Sequence, residues 1–329
     1  MKTSKRTHLL VVPFPINAPT TGPLKATDSG SAVLAAKYAA AAQSKATLRS
    51  YADDMRHFRQ HGGSVPATPE FVAEYLASFA GVLAVATLQH RLIAIHRAHT
   101  DLGLESPTMN RMVRLTFLGI KRTFTVKQRR VKALVKDDLL ELMVHIDKSK
   151  PMRRARDSAV ILCGFAAALR RSEIVALRVE DIIAYPNGIE LQIRRSKTDQ
   201  EGAGRAVFIP FARGARCPVK ALRHWLALSG ITEGPLFRQI SRHDQIVGYK
   251  ALVPKSVALI IKAAVRTMSG DEAAKQVAGH SLRAGFCTEA AEAGVPTFLI
   301  AGQTGHKNGS TSLSRYIRPA SQRKIPTLL

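Results

Sequence analysis

The sequence predicts a mainly α-helical chain of two domains: a helical bundle, then a mixed α+β domain holding a small antiparallel sheet. Three observations carry this. The 329 residues exceed the usual size of one domain, and an apolar content of 46% gives each half material for its own core. From Ala32 to Phe124 apolar residues return every three or four positions, the period of an α-helix. Clear two-residue alternation is confined to one stretch of the second half, flanked on both sides by helical patterns.

Residues 1–30 are rich in Pro, Thr, Gly and Ser with little periodicity, and read as a flexible arm. The bundle follows over 31–124. Its apolar ladders are Tyr51, Met55 and Phe58, then Phe71, Tyr75 and Phe79, then Leu88, Leu92 and Ile95. Gly62-Gly63 with Pro66 to Pro69, then Gly81, then Gly103 to Pro107 punctuate them, giving four or five helices. Residues 125–132 hold four basic residues and no acidic one and break the period, which marks a basic linker. The second domain, 133–329, opens with helices near Asp137 to His145 and through Ala159 to Ala168. Ile189, Leu191 and Ile193 alternate with polar neighbours, and Ala206 to Ile209 is a second β-prone run. The polar turn from Arg194 to Arg205 makes a hairpin of the two. Helices resume at Pro218 to Leu228, Ser256 to Thr267, Leu282 to Ala293 and near Ser312 to Ile317.

Lys and Arg number 49 against 24 Asp and Glu, a formal charge of +25. Such an excess points to a polyanionic partner. A membrane surface is disfavoured, because no stretch nears about 18 uninterrupted apolar residues and the basic residues are not gathered on one amphipathic helix. Nucleic acid remains. On the polar faces of the bundle Arg49, Arg56, Arg59, Gln89, His90, Arg91, Arg111, Arg114, Lys121 and Arg122 have few acidic partners, so as a set they read as a face laid on DNA phosphates. Singly, each also fits a solvated face. The cysteines, Cys163, Cys217 and Cys287, are odd in number, far apart and set in apolar patterns, as buried free thiols in a reducing cytoplasm would be. Pro13 and Pro15 cut the apolar run Leu9 to Val12 short of a secretory signal.

Several residues of the second domain can do chemistry. Arg170, in Leu169-Arg170-Arg171-Ser172-Glu173-Ile174, sits at a helix junction, where it can grip a phosphate in bidentate fashion or pair with Glu173. Lys197 lies in the hairpin turn. With a reference pKa of about 10.4 it can protonate a departing alkoxide held beside it, or simply sit in solvent. His280-Ser281-Leu282-Arg283 opens a helix and puts an imidazole and a guanidinium on one face, the apparatus a charged pentacoordinate phosphate needs. Gly305-His306 is followed by Tyr316, which either packs a core or acts as a nucleophile. Ionising it at pH 7 costs about 4 kcal/mol, which nearby cations or a base must supply. No metal is expected, since His280 lacks a His-x-x-x-His partner and no carboxylates or cysteines cluster with it. No nucleotide cofactor is expected either, because the Gly-x-x-x-x-Gly-Lys and dinucleotide fingerprints are missing.

Arg, hairpin Lys, His-x-x-Arg, Gly-His and Tyr, in that order in one basic C-terminal domain, resemble the tyrosine recombinases, also called the phage integrase family. The likeness runs from about residue 32 through the rest of the chain. Leu83-Ala84-Val85-Ala86-Thr87-Leu88-Gln89 followed by Arg91-Leu92 is similar to the Cre recombinase branch. The resemblance implies that 31–124 is a core-binding, SAM-like DNA-binding domain and 133–329 the catalytic domain. It implies site-specific cleavage and rejoining of DNA through a 3′-phosphotyrosyl intermediate, for integration, excision or resolution of a mobile element, with no cofactor. By the same resemblance, Arg170 and Arg283 hold the non-bridging oxygens of the scissile phosphate and Glu173 braces the site. Lys197 protonates the leaving 5′ oxygen, His280 handles the tyrosine proton, His306 hydrogen-bonds the phosphate and Tyr316 attacks. The implied partner is double-stranded DNA bearing a specific recombination site. A homotetramer is implied on two such sites, with monomers or weak self-association without DNA, in the cytoplasm on the nucleoid. Type IB topoisomerase-like relaxation shares this chemistry; a non-catalytic DNA-binding regulator would share only the fold, and here every catalytic position is filled by a competent residue. The interval from His306 to Tyr316 is one residue longer than is usual in the family. A C-terminal docking helix after Tyr316 is expected to be short, anchored by Ile325, Leu328 and Leu329.

Overall fold

The computed structural model describes residues 31–124, 131–194, 204–306 and 310–317, apart from 32, 36, 39–42, 312 and 315. The expected arm at 1–30, most of the expected linker, the hairpin tip with Lys197 and the tail after Ile317 lie outside the described residues. The chain divides into two compact units, Met1–Lys127 and Gln128–Leu329.

Among the described residues from 43 to 124 of the first unit, four helices follow one another: α1 (Lys45–Gln60), α2 (Pro69–Ser78), α3 (Val85–Thr100) and α4 (Arg111–Phe124). The first two starts have a local cause. Ser44 accepts the N–H of Thr47 at 3.1 Å, and Thr68 accepts that of Phe71 at 3.2 Å with Pro69 at the first helical position. Met55, Phe58, Tyr75, Leu76, Leu88, Ile95 and Val113 are the buried core, where α1 meets α3 and α2 meets α4. Arg91 corrects an expectation. It is 7% exposed, donates from Nη1 to the Tyr75 hydroxyl at 3.1 Å and lies 5.7 Å from the centre of the Phe79 ring, with Asp54 nearby. One turn after Leu88 and one before Ile95, it falls on the inward face of α3, so its guanidinium is used inside the bundle.

The second unit begins with α5 (Lys136–Ile146), α6 (Pro151–Ala166) and α7 (Arg171–Ala176). A three-stranded antiparallel sheet follows, β1 (Ile182–Tyr185), β2 (Gly188–Ile193) and β3 (Arg205–Pro210), in that order. Then come α8 (Pro218–Ser229), a two-stranded hairpin of β4 (Arg238–Ile240) and β5 (Ile246–Ala251), α9 (Pro254–Gln276), α10 (Ser281–Glu292) and α11 (Thr297–Thr304). The register pairs Ile189 with Ile209 and Leu191 with Val207, so the alternation seen in sequence becomes one buried face. Helix α6 runs through the core with Ala159, Val160, Ile161 and Cys163 all buried, against α8 and α10. It begins at Pro151, earlier than the apolar pattern suggests, because Arg153, Arg154, Arg156 and Asp157 fill its first turns. Arg156 and Asp157 are themselves buried as an ion pair at 2.7 Å.

Strand β1, the β4–β5 hairpin and α11 were not anticipated from sequence, being short runs without a sustained period. Helix α9 is longer than expected and is broken at Gly270, where φ is +81°. At Gly285 the chain crosses closely: a Cβ there would lie 1.8 Å from the Leu134 carbonyl oxygen, so the segment leading into α5 can lie across α10 only over a glycine. All three cysteines are free and buried, and burial pushes Cys163 up to about 12. Among the described residues no helix is long and apolar enough to cross a membrane.

Candidate active site

The centre is built from the ends of helices, which their own sequences specify. Glu173 is the third residue of α7, and its Oε2 accepts the backbone N–H of Arg170 at 2.9 Å, satisfying a donor at the helix start. Its other oxygen receives the Arg170 side chain, Nη1 to Oε1 at 2.7 Å. The two readings of Arg170 are therefore compatible: it pairs with Glu173 and still lies in the centre. Just before it, Ala168 adopts φ +50°, turning its carbonyl oxygen to accept Nη1 of Arg283 at 2.7 Å.

Arg283, one turn into α10, is completely buried. Its second terminal nitrogen donates to the Thr304 carbonyl and lies 3.2 Å from Nε2 of His306, while Nε has no partner among the described residues. Burial first, then the neighbouring Arg170, lowers its pKa to about 10, which still leaves it charged at neutral pH. Thr304 gives its hydroxyl proton to the Ile300 carbonyl at 2.6 Å, so its oxygen is an acceptor for Nδ1–H of His306 at 2.9 Å. That assigns the proton to Nδ1 and leaves Nε2 as the acceptor facing Arg283. Burial and then Arg283 push the His306 imidazole down to about 4, so it is neutral. His280, at the start of α10, is also lowered, by burial and then by Arg283 and Arg170.

Tyr316 packs on the small cluster of Cys287, Ala290, Ile300 and Leu313 and is half-buried. Its ring centre is 6.1 Å from that of His280 and 6.4 Å from that of His306. The structure thus gathers Arg170, Glu173, His280, Arg283, His306 and Tyr316; Lys197 lies outside the described residues. It also brings in Arg205, which sequence reasoning missed. From the start of β3, Arg205 donates to the Gln303 carbonyl at 2.7 Å and to Glu173 Oε2 at 3.1 Å. Gly305, with φ +63°, closes α11, and a Cβ on it would sit 2.8 Å from Nε of Arg205. The glycine of the Gly-His pair is explained on both counts.

The residues singled out in the first unit are less concentrated. Arg111, Arg114 and Lys121 border an open cleft of about 580 Å³ floored by Leu92, Val113 and Phe117. Arg49, Gln89 and Arg122 are exposed on their helices, Arg56 is exposed but pairs with Asp53 at 2.8 Å, and His90 pairs with Asp54. A folded cluster able to hold a metal is not found among the described residues.

This arrangement can hold an anionic tetrahedral group against a phenol, with neutral imidazoles at hand. Residues 132–323 match the phage integrase family. An integrase/recombinase XerD homolog of Selenomonas ruminantium is 37% identical over 280 residues, 82% of this chain and 81% of that protein. Among solved structures, the XerH site-specific recombinase bound to palindromic difH substrate, post-cleavage, superposes with a TM-score of 0.60 at 18% identity, covering 84% of this chain and 77% of that one. A λ integrase dimer bound to a COC′ core site gives 0.61 at 17% identity, covering 87% and 75%. The λ integrase tetramer bound to a Holliday junction gives 0.57 at 17%, covering 83% and 72%. The fold is that of these enzymes, and the protein belongs to the phage integrase family, as a tyrosine-type site-specific recombinase.

Proposed function

We propose that this recombinase cleaves a double-stranded DNA site through attack of Tyr316 on the scissile phosphate, leaving a 3′-phosphotyrosyl bond and a free 5′ hydroxyl. The observation that carries this reading is Arg283: a completely buried guanidinium whose partners are carbonyls and a neutral imidazole, with no carboxylate of its own. A buried charge so placed calls for an anion. Arg283 and Arg170 take the two non-bridging oxygens. His280, held neutral, accepts the phenol proton as the new P–O bond forms, and Lys197 returns a proton to the departing 5′ oxygen. His306, in contact with Arg283, stands beside the same phosphate oxygens. Exchange of one ester for another conserves the bond energy, so rejoining by the 5′ hydroxyl needs no nucleotide.

Exposed Arg111, Arg114 and Lys121 around one cleft support phosphate contacts by the first unit, making DNA affinity salt-dependent. Pairing of two DNA sites by four copies, on the cytoplasmic nucleoid, is the assembly this chemistry requires for exchange between duplexes. The test uses a duplex that the protein selects from a random-sequence pool, nicked just 3′ of the cleavage point so that the short 5′-hydroxyl fragment diffuses away. The protein should accumulate a covalent protein–DNA band, and Tyr316→Phe should give none. A band persisting in Tyr316→Phe overturns the assignment.

A further inference from the structure

Arg205 has no part in the steps above, yet it is held as firmly as the residues that do. Its side chain is 16% exposed, its two terminal nitrogens are spent on Gln303 O and Glu173 Oε2, and Gly305 leaves room for its stem. Glu173, with a side chain 1% exposed, is consequently shared: Arg170 holds one oxygen at 2.7 Å and Arg205 the other at 3.1 Å. Arg283 adds a third guanidinium with no carboxylate partner. Three positive charges against one negative leave +2, since both imidazoles are neutral. Arg171 is exposed and screened by water, and Lys197 is outside the described residues, so the sum is that of the buried and partly buried described side chains of the centre. In the transition state for attack the phenol proton passes to His280, and the pentacoordinate phosphate gathers the charge of the phosphodiester and that of the tyrosinate, −2 in all, beside that imidazolium.

We propose that Arg205 is a positioning residue that shares Glu173 as counter-ion with Arg170, so that the carboxylate only partly compensates Arg170 and the centre keeps positive charge for the doubly negative pentacoordinate phosphate. The inference rests on the reading of Tyr316 as nucleophile. Charge in a partly desolvated site acts more strongly than in water, so this balance bears on the rate more than on the grip on DNA. Without Arg205, both oxygens of Glu173 turn to Arg170, and the phosphate meets a half-neutralised pair.

The experiment measures single-turnover formation of the covalent band on the nicked, selected duplex at saturating DNA. Arg205→Met should slow it on the order of 10²-fold, with the half-saturating DNA concentration close to wild type. Adding Glu173→Gln to Arg205→Met restores +2 and should recover roughly tenfold of the lost rate, a coupling that only interacting sites show. With a methylphosphonate at the scissile position, which removes one negative charge from the transition state, the deficit of Arg205→Met should shrink. If Arg205 merely braces the fold, the double variant is no faster than Arg205→Met and the deficit is the same on both substrates; either result, or an Arg205→Met protein that does not fold, overturns the proposal. Tyr316→Phe in the same assay separates the two failures: a band there sinks the nucleophile, whereas its absence with no rescue sinks only the role of Arg205.

Discussion

The helical bundle and the candidate active site both turn arginine inward, and they use it in opposite ways. In the helical bundle Arg91 has an oxygen and a ring to lean on, Tyr75 and Phe79, and a carboxylate close by in Asp54. Its charge is answered locally, and it works as a polar strut. At the candidate site of the second unit Arg170 and Arg205 share the carboxylate of Glu173, while Arg283 has only carbonyls and an imidazole. Positive charge is left over, the imbalance that anion binding uses. The ratio of buried guanidinia to buried carboxylates, more than the number of arginines, separates scaffold from active centre here.

The sharpest way to break this comparison is Arg283→Ala. Losing the fully buried guanidinium should cut the rate of covalent adduct formation on the order of 10³-fold, measured in single turnover on protein shown by circular dichroism to be folded. A rate near wild type would mean the leftover charge is not used. Arg91→Ala should do the reverse. Removing a strut that leaves Tyr75 and Asp54 short of a partner should cost about 1–3 kcal/mol of unfolding free energy, read by urea titration of the bundle's transition. The adduct rate per folded molecule should stay near wild type. The smallest effect is in pH. His306 has a folded pKa of about 4, below its ordinary 6.5, so its neutral form stabilises the fold fully above pH 6.5. That contribution is lost as the pH falls from 6.5 toward 4, and His280, also lowered, acts in the same sense. The melting temperature should fall over that window less steeply in His306→Gln than in the wild type.

Much of this could be read in the residues themselves. The ladders Tyr51-Met55-Phe58 and Leu88-Leu92-Ile95 became buried helix faces, and Ile189-Leu191-Ile193 became a buried strand, because each period matched the geometry of its element. The two arginines that were misjudged share a cause. Arg91 was read as a DNA contact although it lies in phase with Leu88, Leu92 and Ile95. Arg205 was passed over as a turn residue although it lies in phase with Val207 and Ile209 on β3. A charged residue in step with an apolar ladder points inward, and both positions carried that signal. What no local pattern could supply was the partners, since Arg205 finds them 32 and 98 residues away. The family is shown by long-range likeness to recombinases such as the XerD homolog, while the Cre-like segment from Leu83 to Leu92 says nothing more about which branch this chain follows.

The reach of Arg283 has a bearing on how the molecule comes into being. It closes contacts spanning 115 residues back to Ala168 and 21 forward to Thr304, so both flanks must be in place before the guanidinium can be desolvated and aimed. Contacts of such separation form late, after the entropy of closing the intervening chain has been overcome. On the proposed role of Tyr316, a partly folded chain carries the phenol and an excess of basic residues, but not the assembled cations around Arg283. On that reading, completion of folding is the safety catch on strand cleavage.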